Sequence, residues 1–370
     1  DDAVGANNGS SWGDAYLFLQ DALTASVGGN EIWVAAGTYK PDQGTGYTSG
    51  DRDVSFDLIN GVGIYGGFSG NEISREQRNW TMNESVLSGD IGTVGNHSDN
   101  SYHVVFSLLN GNTAVLDGLV ITCGSAAFSS GIPNGGGLWT SGSPTISNCS
   151  FRQNNGLYGG GIYAASTGGT VSPNIANTTF FGNGALHGGA VYLRETKTNP
   201  VFTNCLFSGN GAASNGGAMY LYNASAAILT NCTFSGNSGN ATSGYGGAID
   251  IYQATVTAVN SILWGNTAPN GSQIALADGT LTISYCDLQG GQDGINQEGT
   301  PIINWGTDNL NVDPAFVDAD GPDNLFGTVD DNLRLNVSPA SDAGNNAALL
   351  GGINTDLDGL PRFVDDPFAL

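Results

Sequence analysis

The chain repeats itself. Asn-Cys-x-Phe occurs as Asn148-Cys149-Ser150-Phe151, Asn204-Cys205-Leu206-Phe207 and Asn231-Cys232-Thr233-Phe234. Relaxed copies are Asn177-Thr178-Thr179-Phe180 and Asn260-Ser261-Ile262-Leu263, so the leading asparagines are 29, 27, 27 and 29 residues apart. Three residues past each Phe or Leu stands another asparagine: Asn154, Asn183, Asn210, Asn237 and Asn266. Between the copies sits a Gly-Gly pair followed by a small, an apolar and usually an aromatic residue. It reads Gly135-Gly136-Gly137-Leu138-Trp139, Gly159-Gly160-Gly161-Ile162-Tyr163, Gly188-Gly189-Ala190-Val191-Tyr192, Gly216-Gly217-Ala218-Met219-Tyr220 and Gly246-Gly247-Ala248-Ile249-Asp250. A unit this short cannot bury its own apolar face, so neighbours must bury one another. Short alternating strands punctuated by Gly and Asn leave no room for a helix. The pattern predicts an all-β coil of parallel strands, one turn per period, with rungs stacked ~4.8 Å apart.

Stacking turns equivalent positions into columns. In Ala248-Ile249-Asp250-Ile251-Tyr252 the isoleucines face one way and Asp250 and Tyr252 the other, which makes the Ile side the core. Cys149, Cys205, Cys232 and Cys286 share the inward set with Phe151, Phe207, Phe234 and Leu288. Parity breaks at each repeat Asn, which places a corner there; Asn tolerates left-handed backbone angles, and stacked amides can bond from rung to rung. Cys205 and Cys232, on adjacent rungs, are either a disulfide or free apolar fillers. Thr178 and Ser261 fill the same column without partners, which favours free thiols. An outward column of Trp139, Tyr163, Tyr192 and Tyr220, flanked by Tyr222 and Tyr252, is the candidate ligand-binding or assembly face. It can stack sugar rings, contact another subunit or stabilise its own sheet.

The ends of such a coil need covers. Trp12, Ala15, Tyr16, Leu19, Ala22 and Leu23 fall at helical spacing, Ser11 with Asp14 resembles a capping box, and Gly28-Gly29 ends the run. Residues 1–30 therefore read as a capping helix over the first strand, Glu31-Ile32-Trp33-Val34-Ala35. Residues 31–134 read as irregular rungs with loops and 135–307 as regular repeats. Residues 308–370 read as an Asp-rich C-terminal cap. There Asp318, Asp320 and Asp323 with Asp330 and Asp331 resemble a calcium loop. Asn354, Asp356, Asp358 and Asp365 match EF-hand spacing, with Asp replacing the terminal Glu. Solvated Asp-Gly turns are the alternative to a Ca2+ site.

Nine Lys+Arg against 33 Asp+Glu give a formal charge of −24, which argues against nucleic-acid and anionic-membrane partners. No apolar run is long enough for a transmembrane segment. Asp1, with no initiator Met, reads as the start of a processed, exported chain. From Asp53 onward the cations are Arg75, Arg78, Arg152, Arg194, Lys197, Arg334 and Arg362, with no dense cluster along the sequence. His187, Arg194, Glu195 and Lys197 come nearest to a catalytic group and read as a charged strand end. Neither Ser-His-Asp nor zinc spacing is visible among three histidines.

The Gly-Gly-Ala-Ile and Phe-x-x-Asn pair resembles the repeat of chlamydial polymorphic outer-membrane proteins. Ile32-Trp33-Val34-Ala35-Ala36-Gly37-Thr38-Tyr39-Lys40-Pro41, Ile64-Tyr65-Gly66-Gly67-Phe68, Ser338-Pro339-Ala340-Ser341-Asp342-Ala343-Gly344 and Asp356-Leu357-Asp358-Gly359-Leu360-Pro361-Arg362 are similar to secreted bacterial right-handed β-helix proteins of the choice-of-anchor type. The resemblance implies a right-handed parallel β-helix and assigns no activity. The expectation is a secreted or cell-surface structural or adhesive protein rather than an enzyme, located extracellularly and stabilised by calcium. It is expected to self-associate through its ends or sheet faces into a filament or matrix; Pro367-Phe368-Ala369-Leu370 is a candidate docking segment. The alternative is a β-helix enzyme that binds or cleaves glycans.

Overall fold

A computed structural model describes residues 4–126, 133–348 and 355–361. Three long parallel sheets form the walls of a coil. Sheet I has ten strands, from Glu31–Ala35 to Ile302–Trp305; sheets II and III have nine each, so the chain makes about nine turns. A fourth, three-stranded sheet, Asn155–Tyr158, Gly184–His187 and Gly211–Asn215, lies between II and III in the middle turns. Register follows the period: Leu206 pairs with Thr233 and Phe207 with Phe234, 27 residues on.

The interior is built from columns of like residues. Phe151, Phe180, Phe207 and Phe234 stack with centroids 5.2, 4.6 and 4.4 Å apart and planes within 9° of parallel. Cys149, Cys205, Cys232 and Cys286 are buried in the same core, and all are free thiols. Where each strand of sheet I turns into sheet II, Asn148, Asn177, Asn204, Asn231 and Asn260 hold φ between 49° and 56°, the left-handed corner the parity break required. At the other end of sheet II, Asn154, Asn183, Asn210, Asn237 and Asn266 form a buried amide ladder. Each of the first four donates Nδ2 to the Oδ1 of the next at 2.8–3.0 Å.

The Gly-Gly pair has two separate physical causes. Gly216 has φ +65°, and Gly217 lies where a Cβ would collide with the carbonyl oxygen of Gly247 on the next turn. The first glycine makes the turn and the second lets adjacent coils approach.

The N-terminal cover is present but shorter than the spacing predicts. Ser11 caps only a 3-10 turn, Trp12–Asp14, and the α-helix runs Leu19–Ala25. Residues between them are extended because the N-terminal loop takes their backbone groups. Asn8 and Gly9 donate to the Asp14 carbonyl at 2.9 Å, and Asn7 Oδ1 accepts from the Leu17 amide at 3.0 Å. Leu19, Ala22 and Leu23 still join Ile32, Val34 and Phe56 in the core.

At the other end Leu310 adds one more bridge to sheet II beside Asp287. The Asp-rich segment then runs back along the side of the coil as a strap over sheet II. Phe326 and Gly327 lie against Gly209 and Gly236, the Asn345 amide donates to Asn260 Oδ1 at 2.8 Å, and Asn204 Nδ2 donates to the Thr355 carbonyl.

Candidate functional site

On the outer face of sheet III, Trp139, Tyr163, Tyr192 and Tyr220 pair in register. Trp139 and Tyr163 stack at 6.4 Å and 24°, Tyr163 and Tyr192 at 5.6 Å and 15°; Tyr220 meets Tyr192 edge-on. From Trp139 to Tyr192 the ring faces are therefore turned toward one another along the axis, and Tyr220 closes the column with an edge-to-face contact. The fourth sheet adds Tyr158, 4.9 Å from Tyr192, and His187, 5.3 Å from Tyr220. All four column residues are left only 4–7% exposed, so little of their ring surface is free to meet a sugar or another subunit. Tyr222 and Tyr252 reach solvent, but they too stack face to face, at 5.5 Å and 16°. Such a ladder stabilises its own sheet.

Asp250 continues this column between Tyr220 and Ala275 and is 3% exposed. Burial pushes its carboxyl up to about 7; a hydrogen bond from Asn215 opposes the shift and the charge of Glu298 adds to it. Glu298 in turn is hydrogen-bonded by the Tyr245 hydroxyl. Glu195 is occupied by Arg194, 2.8 Å away, and by Asn223 Nδ2 at 3.2 Å. His187, stacked on Tyr158 and Tyr220, is held below the ordinary histidine range by burial. Lys197 is exposed. The charged strand end is thus an ion pair beside an aromatic ladder.

Several of the acidic residues proposed for calcium make local hydrogen bonds or ion pairs. Asp318 lies on an antiparallel pair with Asn332, and Asp323 Oδ1 accepts from the Leu325 amide. Asp330 accepts from the Thr328 hydroxyl; Asp331 accepts from the Ser208 hydroxyl and the Gly327 amide, tying the strap to sheet II. Asp320 contributes a carbonyl to the Leu325 amide. Asp356 Oδ1 accepts from the amides of Asp358 and Leu360, and Asp358 pairs with Arg334 at 2.6 Å. Asn354 and Asp365 lie outside the described residues, as do Arg362 and 367–370. Among the described residues no three acidic, His or Cys side chains gather as a metal site.

A cleft that sequence spacing did not reveal opens on the outer face of sheet I. Its floor is the register Tyr65, Asp117, Ser147 with Val115 and Thr145 alongside. Its wall is the excursion between sheets I and II that carries Arg75, Glu76, Arg78 and Trp80. Gly67, at φ +97°, lets the backbone of Trp80 come down onto the strand. Gly118, at φ +74°, leaves the space in which Arg78 Nη1 sits 3.0 Å from where a Cβ would be. Arg78 is fixed by Asp117 Oδ1 at 2.8 Å and by the carbonyls of Gly66 and Asp117, both at 3.2 Å. Its guanidinium lies 5.3 Å from the Tyr65 centroid and 5.0 Å from that of Trp80; Arg75 lies 4.6 Å over Tyr65 and pairs with Glu31 at 2.6 Å. Arg75 and Arg78, three residues apart in the sequence, thus share one aromatic platform.

With this geometry in view, residues 86–256 match the family model described as right handed beta helix region, which also gives the hand of the coil. No curated protein matches the chain significantly. Among solved structures, the crystal structure of pectate lyase Pel9A superposes with a TM-score of 0.48 at 15% identity. The superposition covers 98% of this chain and 94% of that one. Among the described residues no helix is long and apolar enough to cross a membrane.

Proposed function

We propose that the chain is a structural and adhesive β-helix of the cell exterior. The observation that carries this is the self-pairing of its columns. The Asn amides, the Phe rings and the Tyr rings each bond or stack on their own kind, and such columns build rigidity along an axis rather than chemistry at a point. The net charge of −24 suits a solvated exterior surface. Self-association then uses side faces, because Leu19–Ala25 covers the first coil. Negative-stain microscopy and light scattering of the purified chain test this: laterally associated rods are expected, and single rods at all concentrations would overturn the assembly.

A second reading, polysaccharide cleavage, is favoured by one observation, the buried Asp250 carboxyl, which burial pushes up to about 7 and whose rise the charge of Glu298 adds to. A proton donor paired with a second carboxylate is the requirement for glycoside hydrolysis. Release of reducing ends from a polysaccharide panel, abolished in Asp250→Asn, would establish it.

A further inference from the structure

We infer that the cleft on sheet I is a binding site for a neutral saccharide. The inference does not depend on the scaffold reading, since a rod that never assembles would bind equally well. The cleft measures about 490 Å³, within the range of small-ligand sites. Its floor spans three rungs, or about 10 Å, enough for a disaccharide. It combines an indole that is 37% exposed, Trp80, with a tyrosine ring and fixed polar groups. Sugars are recognised by that combination: an aromatic surface for the C–H face of a pyranose and planar, pre-oriented carboxylate and guanidinium groups for its hydroxyls.

Charge selects the class of sugar. Arg75 and Arg78 are already paired with Glu31 and Asp117, and Glu76 also lines the cleft. Two cations against these three carboxylates leave 2 − 3 = −1 locally, on a chain of net charge −24. An anionic saccharide meets repulsion at close range and at a distance. A neutral one meets acceptors and donors held in place: Arg78 by its bonds to Asp117 and Gly66, Asp117 additionally by Asn148 Nδ2 at 2.8 Å. Because both guanidinium groups are already held by ion pairs and sit 4.6 and 5.3 Å from the Tyr65 ring centroid, little side-chain entropy is lost when sugar hydroxyls arrive.

The test is calorimetric titration of the full chain with neutral hexaoses of the gluco-, xylo-, manno- and chito- series, with oligogalacturonate as the anionic arm. Two variants locate the site. Trp80→Ala removes the exposed indole, and Thr145→Trp fills the cleft from an outward position on sheet I. At least one neutral series is expected to bind, with each variant weakening it about tenfold or more and leaving the thermal midpoint in place. Failure of every neutral series to bind at ~10 mM, binding by oligogalacturonate alone, or binding that both variants leave unchanged would each overturn the inference. None of these outcomes bears on the shape or association of the rods seen by microscopy.

Discussion

Replacing Asp250 by asparagine tests whether the aromatic column has the electrostatics deduced for it. The carboxyl is 3% exposed between Tyr220 and Ala275, and burial raises it from 3.8 to about 7. The fold therefore prefers the protonated acid. Below the unfolded value both states hold the proton and nothing is lost. Between about pH 4 and pH 7 unfolding releases a proton, so stability falls by up to about 1.4 kcal/mol per pH unit. Above pH 7 the full penalty remains, about 3 pH units or on the order of 4 kcal/mol. The amide introduced by Asp250→Asn has the same shape and no charge, so this contribution disappears. Urea unfolding of both proteins from pH 4 to pH 8 is the assay, read as the difference between them. Asp287, raised by burial to about 6, titrates in both proteins and cancels. The variant should match the parent near pH 4 and exceed it by several kcal/mol at pH 8. A difference that does not change with pH, or a parent that gains on the variant as pH rises, is incompatible with a buried neutral acid.

Other perturbations address the remaining columns. Asn210 accepts two bonds from Asn183 and donates to Asn237 and the Phe180 carbonyl; Asn210→Ala leaves those buried groups unpaired and should lower unfolding stability by about 3 kcal/mol or more. Gly217→Ala drives a Cβ into the Gly247 carbonyl of the next coil and should be at least as damaging by the same denaturation assay. Burial pushes the Cys149 and Cys286 thiols up to about 12 and raises Cys205 as well, while Cys123 is partly open. Iodoacetamide on the native chain should therefore add one label, at Cys123, by mass spectrometry. The calcium reading of the 354–365 loop requires a higher thermal midpoint in calcium than in chelator; equal midpoints would leave Asp356 and Asp358 as turn and ion-pair residues alone.

Much of the molecule was legible because a short repeat imposes its own geometry. Asn148 and Asn177 mark corners, Phe151 and Phe180 mark the core, and the Gly-Gly pairs mark where coils touch, since identical units stacked at one spacing must place like on like. The capping helix was legible as an element but not in length, because Asn7, Asn8 and Gly9 compete for its first turn from a loop with no periodic signal. The aromatic column was legible as a stripe, yet its exposure was not. Parity shows which face a ring leaves, and it does not show that rings at rung spacing turn their faces to one another, or that Tyr158 and His187 arrive from a neighbouring sheet.

The period, the inward and outward sets, the corners and the acidity can all be read from the residues alone, because each is a property of neighbours at fixed spacing. The cleft on sheet I cannot: strands from three successive coils meet there with an excursion that follows no repeat. The same holds for the Asp-rich strap, which folding in three dimensions sets against Ser208 and Asn260. Contacts made by irregular segments depend on where the chain returns in space, and no local pattern records that return.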